Sequence, residues 1–261
     1  MVHKKISFLI FVLWFAFSSN LLSGEGLTEK ETPAQILEKM ATSFGNDLTS
    51  PMFLLVNIEI TDEFEGNWQI VVNGKEVKLN KIQEGQSHTP PQVTLSMSKE
   101  TLDKINDGIW TATTAVAQSK ASDPTPINIR FAPGLSLAKL EEEMLFFMDH
   151  FINWRQPETF DLGLEHTRPA HGGHVIPLHY GRGFRSGWCV IKKGEKVNSE
   201  GEKNPFPQMI IGLKGTAFIE INGKSYKFLT GQCVFIPPNS THKIWNEDDE
   251  PAVGIMMAWQ Y

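Results

Sequence analysis

The stretch "GQCVFIPPNSTHKIWN", residues 231–246, decides how the second half of this chain is read. Its apolar run Cys233–Ile236 has the length and composition of a strand. Pro237 and Pro238 end that strand, because neither can donate to a sheet ladder. A short polar turn then leads to His242, the only histidine after His179. Such a residue is either a metal ligand or a packed side chain at the lip of a barrel.

The surrounding sequence favours a barrel. From Val175 onward, short apolar runs recur as "HVIPLHY", "GWCVIKKG", "QMIIGLKGTAFIEINGKSYKFLTG", "CVFIPP" and "PAVGIMMAWQY". Turns such as Asn222-Gly223 separate them, and no helical period intervenes. This is the pattern of a small all-β barrel or jelly roll.

The spacing Gly231, Pro237, Asn239, His242, Asn246 resembles the second motif of the cupin family, with Asn239 where that family usually has glycine. Gly194 and "MIIGLKGTAFIEINGK" around Gly215 resemble the first motif. The resemblance covers residues 175–261 and implies a single cupin domain, a double-stranded β-helix or jelly-roll barrel. Metal-binding members carry two histidines and a glutamate in the first motif. By that resemblance the glutamate falls on Gln208. The histidine pair falls on Glu202 and Asn204 when counted back from Gln208, or on Glu200 and Glu202 when counted forward from Gly194.

Imidazole binds transition metals well and neutral amides bind them poorly, so a divalent metal is not the favoured expectation. Glu200, Glu202 and His242 remain a candidate set for a harder ion such as Mn or Mg. The competing reading of "NSEGEKNP" is a polar loop whose charges face water. Gln208, His242 and Asn204 are the candidate ligand-binding residues, and His242 is the candidate general base if the domain is catalytic. "Asn239-Ser240-Thr241" is also a glycosylation sequon, meaningful only in a eukaryotic secreted protein.

The first half reads differently. "TPAQILEKMATSFGND" places Ile36, Leu37, Met40 and Phe44 on one helical face. "FLLVNIEI", "GNWQIVVNGKEVKL" and "PQVTLSMS" read as strands, with Asn73-Gly74 as a tight type I′ turn in the second. Ser98 can cap a helix holding Leu102 and Ile105, a second helix is expected from Trp110 to about Gln118, and "TPINIRF" returns to strand. A helix is expected over residues 136–153, where Leu137, Leu140, Met144, Phe147, Met148 and Phe151 form one stripe that Leu145, Phe146 and Ile152 widen. That width serves either core packing, the more ordinary use, or the wall of an apolar cavity.

This order of elements, and "NWQIVVNGKEVKL…PQVTLSMSKETLDKINDG" within it, resembles the sterol carrier protein type 2 family over residues 30–153. The resemblance implies an α+β lipid-carrier-like domain around an apolar tunnel, not itself a catalyst. Residues 154–174, rich in Pro, Gly and His, read as a linker. Within it, "HGGH" brings His171 and His174 close, but Gly-Gly fixes no metal geometry, so a solvated loop is expected.

At 261 residues, 41% hydrophobic and 21% charged, the chain has a globular composition with room for two cores. Its net charge of −6 repels nucleic acid. "MVHKKISFLIFVLWFAFSSNLLSGEG" has two lysines, then an apolar run, then small residues. That is the layout of a secretory signal peptide over residues 1–24, so export is expected, with no stable membrane span after processing. Cys189 and Cys233 could pair in an exported protein or stand as two thiols.

The expected partner is a small, partly apolar molecule, with a homodimer through the cupin domain as a further expectation. No Ser/His/Asp signature, dinucleotide glycine pattern or P-loop points elsewhere. The reading is therefore an exported binding protein, with a cupin enzyme (isomerase, lyase or dioxygenase) as the alternative and a structural interaction protein as a third.

Overall fold

Helix α1, Pro33–Asp47, starts where Thr32 and Gln35 cap one another: the Gln35 amide donates to the Thr32 hydroxyl and the Thr32 amide to the Gln35 side chain. Pro33 fits the first turn, which needs no donor there. The expected face is buried, with Ile36, Leu37, Met40 and Phe44 wholly inaccessible. The computed structural model describes residues 30–62, 66–83, 88–118, 123–155, 161–181 and 183–260, so the leader lies outside the described residues. Thr32–Tyr261 form one compact unit.

Five strands make the first sheet: β1 Met52–Ile60, β2 Gly66–Gly74, β3 Glu76–Ile82, β4 Val93–Met97 and β5 Asn128–Phe131. Their order is β3-β2-β1-β4-β5, antiparallel except for β1 beside β4. Between β4 and β5 come α2, Lys99–Asn106, capped by Ser98 as expected, and a short α3, Ala112–Val116. The turn between β2 and β3 falls one residue later than its sequence suggested. Asn73 pairs with Glu76, so Gly74 and Lys75 are the central residues and Gly74 takes φ 68°. Glycine suits the first position because it enters that region without strain.

The expected helix over residues 136–153 is divided. A 3-10 turn at Leu137–Lys139 precedes α4, Glu141–Phe147, and a π-helical turn follows at Met148–Ile152. Its stripe packs into the core: the Phe147 ring stacks on Phe151 at 4.5 Å and meets the Phe44 ring edge-on at 5.4 Å. Leu137 and Leu145 stay exposed, so only part of the wide face is buried.

The barrel begins earlier than the linker reading placed it. Residues 154–174 contain β6, Arg168–Ala170, and the start of β7, Gly173–Gly181. "HGGH" is their hairpin, not a solvated loop. Ala170 pairs with Gly173, and His171 and Gly172 occupy the turn at φ 52° and 88°. A side chain on Gly172 would lie 2.1 Å from the Lys196 carbonyl oxygen, so the turn needs glycine for closeness as well as conformation.

The remaining strands are β8 Phe184–Ile191, β9 Lys196–Val197, β10 Gln208–Lys214, β11 Thr216–Ile221, β12 Lys224–Leu229, β13 Cys233–Ile236, β14 His242–Trp245 and β15 Ala252–Trp259. They form two sheets, ordered β13-β10-β15-β8-β7-β6 and β12-β11-β14-β9. Ile191, Ile236 and Ala252 of the first pack with Ala217, Ile219 and Ile244 of the second. Asn222 and Gly223, at φ 49° and 79°, make the two-residue turn expected between β11 and β12.

The two halves are tied by polar contacts. The Arg168 guanidinium donates to the carbonyls of Ala117 and, at 3.4 Å, Pro124. Arg155 donates to the Asn106 carbonyl at 3.0 Å, and His166 Nδ1 lies 3.1 Å from the Ile109 carbonyl.

Candidate functional site

Most of the quoted motif meets backbone demands. Gly231 and Asn239 take φ 79° and 60°, a region that glycine enters freely and asparagine tolerates. Asn246 is buried and donates to the carbonyls of Ile191 and Glu250 at 3.0 and 2.9 Å, while accepting from the Asp248 amide at 2.8 Å. It closes the loop before β15. The Asn239 amide donates to the Asn204 carbonyl at 2.6 Å, pinning the turn to the segment that leads into β10. Of these residues, His242 faces the interior: it lines a cavity of ≈ 160 Å³ inside the barrel.

One wall of this cavity follows from strand register. Across β10, β15 and β8, Gln208 pairs with Ala258 and Ala258 with Arg185. The next inward row is Ile210, Met256 and Gly187, and the third is Gly212, Gly254 and Cys189. The sheet thus runs from polar through apolar to glycine along its inner face. At the glycine end a side chain on Gly212 would meet the Leu229 carbonyl at 2.6 Å, so β12 closes the barrel there.

At the polar end, Glu202, Asn204, Phe206 and Gln208 all line the cavity. Gln208 is 7% exposed and lines the cavity. Arg185 carries its guanidinium 4.7 Å over the Tyr180 ring and 5.9 Å over the Phe206 ring, and donates to the Gln118 carbonyl at 3.4 Å. One Glu202 carboxylate oxygen accepts from the Ser199 amide at 3.1 Å.

His242 opens β14 opposite this wall and is 5% exposed. Its Nδ1 lies 3.4 Å from the Ser240 carbonyl, which can only accept, so the ring proton belongs on Nδ1. Nε2 is then a lone-pair acceptor. Burial pushes the imidazole below its ordinary pKa, against smaller opposing pulls from the Ser240 carbonyl and the Glu202 charge. The residue is therefore a cavity-wall imidazole held neutral at neutral pH.

The candidate metal set does not assemble. Glu202 and His242 face the cavity, but Glu200 is exposed and outside its lining. Asn204 and Gln208 line the cavity beside Glu202, and their amides are poor ligands for transition metals. Among the described residues no three His, Cys, Asp or Glu side chains converge as a metal site. The donors present, one imidazole and one carboxylate beside two amides, do not fit the metal of metal-binding cupins.

Three cavity residues escaped the sequence reading. Arg185 lies in "FRSGWCVI", where both faces are apolar enough that alternation does not say which points inward. His171 and His174 also line the cavity. His171 Nε2 lies 2.9 Å from an Asp123 carboxylate oxygen without hydrogen-bond alignment, and His174 Nε2 lies 3.1 Å from Glu195.

The cysteines are both free. Cys189 lies on the inner face of β8, and Cys233, three strands away on β13, lies on the outer face. Three strand spacings amount to ~14 Å, beyond the reach of a disulfide.

Residues 187–258 match the Cupin domain family, in keeping with the two-sheet barrel they form. No curated protein sequence matches the chain. Among solved structures, the chain is similar to a Cupin 2 conserved barrel domain protein from Salinispora arenicola, at 23% identity and a TM-score of 0.36, over 40% of this chain and 90% of that one. It is similar to a cupin-like protein from Thermotoga maritima at 24% identity and TM-score 0.31, over 34% and 68%. A sugar phosphate isomerase of the cupin superfamily from Silicibacter pomeroyi matches at 15% identity and TM-score 0.32, over 34% and 60%.

Proposed function

We propose that the protein is exported and that its barrel holds a small, partly apolar molecule. The observation that carries this reading is Gln208, whose amide opens on the cavity beside an apolar floor. A ligand that hydrogen-bonds this amide gains about 0.5–1.5 kcal/mol from it, and its apolar part is buried on the floor below. Thermal-shift screening of neutral and charged compounds under 200 Da tests the proposal, with Ala258→Leu as the control that fills the floor between Gln208 and Arg185. Hits that stabilise wild type and lose their effect in the variant support it. Hits that stabilise both equally do not bind in the barrel.

A second reading is favoured by His242. A buried imidazole with its proton on Nδ1 presents Nε2 as a base, the state a cupin isomerase or lyase needs. His242→Gln would then abolish turnover of a bound ligand while leaving binding within a few-fold.

Export rests on the charge-then-apolar leader, and intact-mass analysis of exported protein missing residues 1–24 would support it. The lipid-carrier likeness of residues 30–153 rests on element order, supported by the sheet and helices observed there. Saturable binding of a fatty acyl probe by the full chain tests it. Self-association through the barrel is proposed on the outer sheet face, where Phe235 is 49% exposed and lies 6.1 Å from the Trp259 ring. Sedimentation of wild type against Phe235→Asp would reveal a dimer and its loss.

A further inference from the structure

We infer that the barrel takes an uncharged, ring-sized alcohol or phenol whose hydroxyl donates to His242 Nε2, an inference that rests on the barrel being a binding site. The strands around His242 fix its place. An antiparallel bridge joins Lys203 to Thr241, so the flanking residues Glu202 and His242 stand side by side, and both line the cavity. The imidazole turns Nδ1 to the Ser240 carbonyl, which leaves Nε2 as the accepting edge of the ring. Burial disfavours its protonated form, so that edge keeps its lone pair. The group it recognises is a donor.

The charges in the lining are engaged by the protein itself. Arg185 lies over the Tyr180 ring of β7 and donates to the Gln118 carbonyl, while Gln208 is on β10, on the other side of β8. Glu202 accepts from the Ser199 amide. An anion entering the cavity would shed its water near the Glu202 carboxylate, and a cation would share the lining with the Arg185 guanidinium. Burying a charge without a dedicated partner costs far more than burying a hydroxyl that makes one hydrogen bond. The groups left to recognise a ligand are neutral: the His242 imidazole and the Gln208 amide.

Strand direction sets how such a molecule lies. β14 runs from His242 to Ile244 and β10 from Gln208 to Ile210, and all four residues line the cavity. Side chains two apart share a strand face, so each wall begins polar and continues apolar. Met256, paired with Ile210, extends the apolar part. A hydroxyl placed at His242 therefore lays its carbon skeleton against Ile244, Ile210 and Met256. At ≈ 160 Å³ the cavity has room for one ring, since about 150 Å³ suffices for benzene.

Phenol and cyclohexanol are the probes. Each is paired with toluene or methylcyclohexane, in which a methyl replaces the hydroxyl, and benzoate and benzylammonium supply the two charges. Binding to the full chain is read by calorimetry and thermal shift. At least one of the two alcohols should bind, and both ions should bind about tenfold or more weakly than it does. In His242→Leu the hydroxyl would be buried unpaired, so the affinity of the alcohol relative to its hydrocarbon should fall about fivefold or more. Nitrogen NMR of wild type gives a second reading if that variant fails to fold: the His242 Nε2 resonance should shift as the alcohol saturates and stay in place with the hydrocarbon. A ratio of alcohol to hydrocarbon that His242→Leu leaves unchanged, an Nε2 resonance that the bound alcohol does not move, or an ion that binds more tightly than the alcohols overturns the inference. Compounds from the thermal-shift screen that bind in the barrel while neither alcohol binds also overturn it, and leave the binding barrel standing. If neither the probes nor any screened compound binds a folded wild-type protein, the binding barrel itself falls, and the inference with it.

Discussion

The Arg168 guanidinium donates to the carbonyl of Ala117 across the junction between the two halves of the chain. Arg168 is 6% exposed, and burial lowers its pKa, opposed by the charge of Asp123. A buried cation is tolerated only where it is paired and hydrogen-bonded. Here its partners are carbonyls at the end of α3 and before β5, with Asp123 close by.

Arg168→Ala should therefore cost more than a surface arginine would. Hydrogen bonds to a charged donor are worth about 1.5–3 kcal/mol, and the orphaned carbonyls add to the loss. A destabilisation of about 3 kcal/mol is expected in urea unfolding. A change within ~0.5 kcal/mol, the usual surface range, would show that water replaces the guanidinium and that the junction does not depend on it.

Phe147 has no exposed surface and packs against the rings of Phe44 and Phe151, which also touch each other. Phe147→Ala should cost about 3–5 kcal/mol, the range for a large core side chain that neighbours cannot replace. A cost near 1 kcal/mol in denaturant unfolding would mean that the stripe borders open space, which would favour the apolar-tunnel reading of this half.

Turns and caps were the legible part of the chain. Asn222-Gly223 and Ser98 each have one local conformation that suits them, and both adopt it. His242 and Gln208 were placed on the cavity side because the motif ties them to strand ends. Arg185 was not, because β8 is apolar on both faces: Trp188 is buried on the outer one with Ile176 and Ile255. A strand covered on both sides loses the alternation that reveals its inward residues. "HGGH" misled for a related reason. A histidine at positive φ is uncommon enough that His171-Gly172 does not announce a turn, and its need for glycine comes from Lys196, 24 positions onward.

The two thiols should differ sharply in reactivity. Desolvation in the barrel pushes Cys189 up to about 12, against a smaller pull from the Met256 backbone, while Cys233 is exposed on β13. One maleimide per chain should add quickly at pH 8, on Cys233, and the second only after unfolding. Peptide mapping that finds Cys189 labelled in the native protein would show that the cavity admits the reagent and water.

His242 gives the clearest dependence on pH. Its folded-state pKa lies below the ordinary 6.5 because burial disfavours the imidazolium. The unfolded chain therefore binds its proton more tightly than the folded chain does. Above pH 6.5 both states are neutral at this residue and it imposes no penalty. As pH falls below 6.5, the unfolded state takes up the proton first and stability is lost, until the folded imidazole also protonates. His242→Gln removes this proton while keeping a polar side chain of similar reach. The free energy of unfolding, measured from pH 8 to pH 5, should fall more steeply for wild type than for the variant, with the two curves diverging only on the acid side. Ligand affinity should follow the same course, because an Nε2 that carries a proton no longer accepts a hydrogen bond. Parallel curves throughout would mean that the imidazole is as well solvated folded as unfolded, and the neutral-acceptor role assigned to it in the cavity would not stand.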